Sequence, residues 1–481
     1  MFDSVRSLWD SFWAIPHIQL YLTCAWITYL VGVGAWIALQ KREPVATLSW
    51  LISLAALPYI GFVIYYLFGP QKIVRHRRRR QQRRPTQLLP AALSPEQESL
   101  ELHALAQATT SIPRSTAQTV QLLVDGGNKY PALLADIAAA RDHVHLEYYI
   151  YTPDRSGTAL RDALVERARA GVSVRLLVDA MGSKKADRRF FAPLTAAGGE
   201  IAWFHPSRPW MLWKRPWVNL RTHRKIAVID GRIGYLGGIN ITDEQDNRLR
   251  QDAYRDLHLR LEGQTVSNLQ DVFIEDWVYA TEQHDFVCQL AQSMPAPESG
   301  PIDAQLLTSG PDSDWEAIHR MFVGAIYAAS QRVWLVTPYF VPGEAAMMAL
   351  TSAALSGLDV RLLVPKMSDS RLTTWCVRSY YDELLAAGIK VHEYGPRMLH
   401  TKALLIDDNL AILGSANFDH RSFRLNFEIG VLFDDTDIAA RLAALIEQDL
   451  RHAPQVCADR KHPLLTASLP EALARLMSPL L

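Results

Sequence analysis

One pattern stands twice in the chain and constrains it more than any other feature: His-x-Lys-x4-Asp, then six residues, then Gly-[Gly/Ser]-x-Asn. The first copy is His223, Lys225, Asp230 and Gly237-Gly238-Ile239-Asn240; the second is His400, Lys402, Asp407 and Gly414-Ser415-Ala416-Asn417. A single triplet of that spacing is weak, because such triplets arise by chance, but two with the same trailer inside a wider repeat are not incidental. GVSVRLLVD from Gly171 answers GLDVRLLVP from Gly357, and VHLEYYIY from Val144 answers VWLVTPYF from Val333. Helical patterns over residues 158–170 and 344–356 follow these strands. Apolar strand-like runs alternating with amphipathic helices mark an α/β fold, here present as two copies of one unit.

The repeated residues suit work on a phosphate. Histidine and lysine at i and i+2 project from one face of a strand, so a phosphate on that face meets an imidazole and an ammonium together. The aspartate at i+7 has the opposite parity and sits at a turn (Asp230-Gly231, Asp407-Asp408), where it is expected to brace backbone and not to touch substrate. The glycines permit close backbone approach, and Asn240 and Asn417 offer amide donors to phosphate oxygens. Ser415 adds a hydroxyl in the second copy alone and joins that phosphate-binding set. Two histidines facing each other across the repeat interface can divide the labour, one attacking phosphorus and the other protonating the leaving oxygen. The lysines then hold the nonbridging oxygens, so no metal and no cofactor is called for. The sequence shows no metal-ligand cluster and no P-loop. A nucleophilic imidazole needs a carboxylate on its second nitrogen, and Asp256 and Glu428, on strand-like segments after each asparagine, are the candidates. His143, His145 and His205 read as ordinary packing or surface residues.

The N-terminal end has a different character. Residues 18–39 and 45–68 are apolar runs without a charged residue, joined by five residues. Twenty-two helical residues rise roughly 33 Å, enough for a bilayer core of about 30 Å, so a transmembrane hairpin is expected. The first run lacks a basic n-region and is too long for a signal peptide. Lysine plus arginine equals aspartate plus glutamate at 50 each, so net charge points to no partner, but eight basic and no acidic residues fall between 72 and 84. Such a flank stays cytoplasmic, which places everything after it on the cytoplasmic side of the membrane. Beside a membrane helix the block fits anionic lipid better than nucleic acid. Between residues 203 and 217 stand four of the 13 tryptophans, interleaved with Arg208, Lys214 and Arg215, a composition suited to a lip in the lipid headgroups. The four dispersed cysteines are expected to be reduced and mostly buried.

Together these residues resemble the phospholipase D superfamily, whose signature is the repeated HxKxxxxD with GGxN or GSxN. LPYIGFVIYYLFG, THRKIAVIDGRIGYLGGINI and HTKALLIDDNLAILGSANFDHRSFRLNFEIGVLF narrow the resemblance to bacterial cardiolipin synthases. The resemblance implies two tandem phospholipase D-type α/β repeats forming one pseudo-two-fold catalytic unit, preceded by two transmembrane helices. The residues themselves divide the chain into a hairpin over 1–70, a basic juxtamembrane segment and linker over 71–118 with a short helix around 96–106, and repeats over 119–300 and 301–481; the resemblance covers nearly all of this, leaving out the linker and the last thirty or so residues. It puts His223, Lys225, Asp230, His400, Lys402 and Asp407 in one catalytic set, with His223 attacking one phosphatidylglycerol and a second phosphatidylglycerol accepting the phosphatidyl group. The partners it implies are phospholipid and membrane, not nucleic acid. Hydrolysis to phosphatidic acid, a nucleic-acid phosphodiesterase and a membrane scaffold with a dead site are the alternatives. Intact half-sites oppose the scaffold, and the interspersed charges after residue 119 oppose the nuclease. Oligomeric state and acceptor lipid stay open.

Overall fold

A computed structural model describes residues 16–38, 97–206, 219–287, 290, 296, 298–460 and 463–478. The second apolar run, the basic block, most of the tryptophan-rich segment and Cys288 lie outside them. Two compact units divide the chain, and both repeats fall in the larger, Pro70–Leu212 with Leu220–Leu481.

In the smaller unit Ile18–Ala38 is a helix of 21 residues without a charged side chain. Its first half carries Gln19, Tyr21, Thr23 and Thr28, with both threonine hydroxyls donating to the carbonyl four residues back (2.8 Å). Among the described residues no helix is long and apolar enough to cross a membrane.

The larger unit holds two sheets of matching order. The first contains β2 (Thr119–Val124), β3 (His143–Tyr148), β4 (Ser173–Asp179), β5 (Glu200–Phe204), β7 (Lys225–Ile229), β8 (Ile233–Gly237) and β9 (Leu257–Glu262), ordered β2-β9-β8-β7-β3-β4-β5. The second contains β10 (Ile302–Ser309), β11 (Arg332–Val336), β13 (Asp359–Pro365), β14 (Lys390–Tyr394), β15 (Ala403–Ile406), β16 (Leu410–Gly414) and β18 (Asn426–Asp434), ordered β10-β18-β16-β15-β11-β13-β14. Strand for strand the two orders correspond. Each mixes parallel βαβ crossovers (β3 to β4, β11 to β13) with antiparallel hairpins (β7 to β8, β15 to β16).

Strand periodicity explains how the sheets pack. In β7, Ile226 and Val228 join one core and Ala227 and Ile229 another; in β15, Ala403 and Leu405 separate from Leu404 and Ile406 in the same way. The shared core lies between the sheets and is closed by helices Gln264–Thr281 and Thr436–Leu450. Each outer face is covered by its own helices, Asp125–Ala139 and Arg155–Arg169 on the first, Ala317–Ala328 and Glu344–Leu355 on the second. Strands buried on both faces need no polar alternation, which is why IAVI and ALLI are apolar throughout.

The stretch read as linker does more than connect. Helix Gln97–Thr110 places Leu102 and Ala106 in the outer core of the second half, and β1 (Thr116–Ala117) extends the second sheet by pairing β10. Of the described cysteines, Cys376 is buried but Cys24 and Cys457 are exposed, against the expectation of mostly buried thiols. Cys24 sits on a helix whose side chains are largely exposed in the described structure, and Cys457 in the irregular stretch that follows helix Thr436–Leu450.

Candidate active site

The site forms where the two sheets exchange strand ends. β6 (Arg221–Thr222), just before His223, pairs in parallel with Asn426–Phe427 at the start of β18. The equivalent contact in the other half is the bridge Arg255–Leu399. His223 N donates to Phe427 O (2.9 Å) and His400 N donates to Arg255 O (2.7 Å). Each histidine is therefore stitched to the residue preceding the carboxylate of the opposite half.

That stitching crosses the carboxylates. His223 Nδ1 donates to both oxygens of Glu428 at 3.0 Å, and His400 Nδ1 donates to Asp256 Oδ2 at 2.6 Å. Both carboxylates are fully buried, and the histidines are 8% and 7% exposed. A carboxylate on Nδ1 fixes the proton there and leaves Nε2 as the free lone pair. The sequence pointed to Asp256 and Glu428 without showing that each serves the other repeat.

Both lysines stand beside their histidines. Lys225 Nζ donates to His223 O (2.5 Å), and Lys402 Nζ lies on His400 O and 2.9 Å from its Nδ1. Burial pulls Lys225 down to about 7 and Lys402 to about 8, although Glu428 and Asp256 oppose the fall. Burial likewise takes His223 down to about 4, against the upward pull of Glu428, and lowers His400, with Lys402 adding to the fall. Each lysine also depresses the opposite histidine, so the two half-sites share one electrostatic environment. Burial raises Glu428 and Asp256, but the histidine and lysine beside each, with the hydrogen bonds each carboxylate accepts, win and hold both below the ordinary carboxylate range.

The motif aspartates lie elsewhere. Lys225 is at the start of β7 and Asp230 just past its end, so about seven residues at ~3.3 Å each separate Asp230 from His223. Asp230 accepts from the backbone N–H groups of Arg141 (2.9 Å), Asp142 (2.8 Å) and His143 (3.0 Å). Asp407 accepts from those of Ser330 (2.8 Å), Gln331 (2.7 Å) and Arg332 (2.9 Å). Both have positive φ, 53° and 49°. They belong to the loops entering β3 and β11, not to the reacting set in which the resemblance placed them. Asp230→Asn replaces one acceptor oxygen by a donor facing backbone N–H groups. It is expected to cost about 2–3 kcal/mol of stability while activity per folded molecule stays near wild type, read by denaturant unfolding alongside turnover. A folded but inactive Asp230→Asn protein would contradict this assignment.

Ser415 also departs from its expected role. Its hydroxyl is fully buried, donates to Glu428 Oε2 (2.5 Å) and accepts from Ile429 N (3.0 Å), so it braces the carboxylate instead of reaching a phosphate. The first half has Gly238 there because a Cβ would overlap the Asp256 carboxylate. The longer glutamate pairs with serine, the shorter aspartate with glycine. Asn240 and Asn417 are both buried: Asn240 Oδ1 accepts from Ile150 N (3.1 Å), whereas Asn417 Oδ1 has no hydrogen-bond partner among the described residues.

Several site residues gave no advance signal. Gln245 Nε2 lies 3.3 Å from His400 Nδ1 and its Oε1 accepts from Asn240 N. Its counterpart Ser422, also five residues past the asparagine, accepts from Asn417 N (3.1 Å). Aligning the repeats sets Gln245 opposite Ser422, two different residue types, so the position carries no mark in the sequence. Tyr149 stands edge-on to His223 (5.0 Å between centroids) and Tyr254 tilts over His400 (5.6 Å). His143 and His145 are buried against Gln270, in keeping with a packing role. Of the tryptophan-rich segment, Trp203 lies in β5 against Phe191, and residues 207–218 lie outside the described set.

Comparison with known proteins adds a family. Residues 133–277 and 322–450 match the family described as "Cardiolipin synthase, PLD-like domain", and residues 29–70 match "Phospholipase_D-nuclease N-terminal". The chain is 35% identical to a cardiolipin synthase of Geobacillus kaustophilus, over 99% of this chain and 97% of that one. It is 38% identical to that of Geobacillus thermodenitrificans, over 94% and 92%. Among solved structures, phosphatidylserine synthase of Haemophilus influenzae superposes with a TM-score of 0.60 at 14% identity, over 79% of this chain and 100% of that chain.

Proposed function

Since the chain belongs to the family of cardiolipin synthases with phospholipase D-like domains, we propose that it transfers a phosphatidyl group from one phosphatidylglycerol to another, releasing glycerol. The observation that carries the reading is the crossed pair of buried histidine–carboxylate contacts, His223 with Glu428 and His400 with Asp256. His223 Nε2 attacks the donor phosphorus; the bond from phosphorus to the glycerol oxygen breaks, and His400 gives that oxygen its proton. The hydroxyl of the second phosphatidylglycerol then loses its proton to His400 and attacks phosphorus. The phosphorus–nitrogen bond breaks, and His223 is free again. One phosphodiester replaces another, so no nucleotide is consumed.

The electrostatics favour this division. His223, drawn down to about 4, is neutral and nucleophilic near pH 7. A bound phosphodiester anion supports the protonated form of His400 and of both lysines, since an opposite charge within a few ångströms favours the charged state. Lys225, Lys402, Asn240 and Asn417 then face the nonbridging oxygens. The two uncharged runs at 18–39 and 45–68 are read as an anchoring hairpin over 1–70, followed by the segment 71–118 and repeats over 119–300 and 301–481. The cytoplasmic side of the membrane is where the basic flank would hold the repeats.

Purified protein in mixed micelles, with labelled phosphatidylglycerol as sole phospholipid and neither nucleotide nor divalent cation, is expected to yield cardiolipin and glycerol in equal amounts. Phosphatidic acid as the only product would make water the acceptor and the enzyme a hydrolase.

A further inference from the structure

We propose that the C-terminal helix Leu469–Leu476, with the preceding turn and the 366–372 segment (a loop and the first turn of the helix after it), forms a lipid-contacting surface that seats the mouth of the active site on an anionic bilayer. The inference rests on the phospholipid reading above and adds a surface that reading does not require.

Leu465, Leu469, Leu473 and Leu476 recur at helical spacing and are 75%, 45%, 55% and 76% exposed. They make one apolar stripe facing away from the protein. The opposite side of the helix is fastened down. Ala474 is buried in the core with Cys376, Val377 and Tyr380. Glu471 pairs with Arg460 (2.8 Å), and the Arg475 guanidinium lies over the Tyr380 ring (4.3 Å) while donating to Ser379 O (2.8 Å). The helix cannot roll its leucines inward without losing these contacts. A contiguous exposed apolar stripe of this kind marks an interaction surface.

What covers it is indicated by its neighbours. The helix packs on Arg371–Arg378, whose first turn carries Arg371 and exposed Leu372, and the loop leading into that helix carries exposed Met367 beside Lys366. Neither cation is in an ion pair among the described residues. Apolar tips mixed with free cations suit the headgroup region of an anionic membrane, and both the substrate and the product of the proposed reaction are anionic lipids. The same loop reaches the site: Tyr339 OH donates to Asp369 Oδ2 (2.8 Å), and the charge of Asp369 acts on Tyr254, whose ring tilts over His400. A bilayer touching the leucine stripe and this loop would deliver lipid headgroups to the histidine whose leaving group and acceptor must come and go.

The test uses the full chain, with its four native cysteines replaced, in vesicles of phosphatidylglycerol and phosphatidylcholine. Leu473→Cys, Leu476→Cys and, as control, Glu447→Cys are spin-labelled. Collision with oxygen is compared with collision with a water-soluble nickel chelate. Oxygen is expected to dominate several-fold at 473 and 476, and nickel at 447. Nickel dominance at 473 and 476 would overturn the proposal, and so would exclusion of both reagents, which would mean that protein covers the stripe. Transfer is assayed on the same vesicles, so loss of the reaction itself would count against the functional reading and not against the surface. Leu473→Glu with Leu476→Glu should raise the KM in surface concentration about tenfold, the equivalent of ~1.4 kcal/mol, with kcat unchanged.

Discussion

His223→Ala and His400→Ala are each expected to lower turnover by about four orders of magnitude or more, since residues acting as one unit cannot be removed singly without losing most of its effect. The two losses should differ in kind. With a phosphatidyl donor carrying p-nitrophenol, whose departure needs no proton, the His400→Ala enzyme should still release one equivalent of phenolate per site and then stop. The His223→Ala enzyme should release none, having no imidazole to receive the phosphatidyl group. Both side chains are nearly covered but keep a small exposed fraction, and truncation is expected to leave unfolding within a few degrees of wild type. A burst from His223→Ala and none from His400→Ala would exchange the two roles. Equal bursts from both would remove the case for a single nucleophile.

How much of this was legible beforehand follows from where each signal lives. The duplication is a property of order along the chain, so the two corresponding sheets follow from GVSVRLLVD and GLDVRLLVP and their neighbours. The same-face argument for His223 with Lys225 depends on one strand and needs no tertiary knowledge. The turn role of Asp230 and Asp407 was legible for the same reason, through parity and an adjacent turn. What one strand cannot show is its partner across the interface. The assignment of Glu428 to His223 depends on β6 joining β18, 205 positions along the chain, and that of Asp256 to His400 on the bridge Arg255–Leu399, with 144 positions between the pair. Ser415 reads as a phosphate ligand in the sequence because a hydroxyl beside a glycine looks available until the carboxylate it braces is seen. Helix Gln97–Thr110 reads as part of a linker because its polar sequence carries a narrow apolar stripe, Leu102 and Ala106, enough to dock on a core but not to announce one.

Glu428→Gln tests the crossed geometry directly, and a loss of about 10³-fold in kcat/KM at pH 7 is expected, as when a histidine loses the carboxylate that fixes its tautomer. Gln fills the same space and can still accept from Ser415, so a mere loss of packing would be small. The sharper readout is the pH profile. In the wild type, kcat/KM should fall on the acid side as His223 gains a proton near 4, and on the alkaline side first as His400, itself lowered by burial, gives up the proton it must deliver and then as Lys225 and Lys402 lose theirs near 7 and 8. Glu428 pulls His223, Lys225 and Lys402 upward, because a buried negative charge favours the protonated form of each. Removing that charge should therefore move both limbs of the bell to lower pH, and the alkaline limb is the easier to follow. Asp256→Asn should act in the same direction on Lys225 and Lys402, with His400 in place of His223. If Glu428→Gln lowered activity but left the alkaline limb where it was, the carboxylate would be orienting His223 without setting the charge of the lysines. The protonation state of the phosphate-binding cations would then have to be set by the substrate alone.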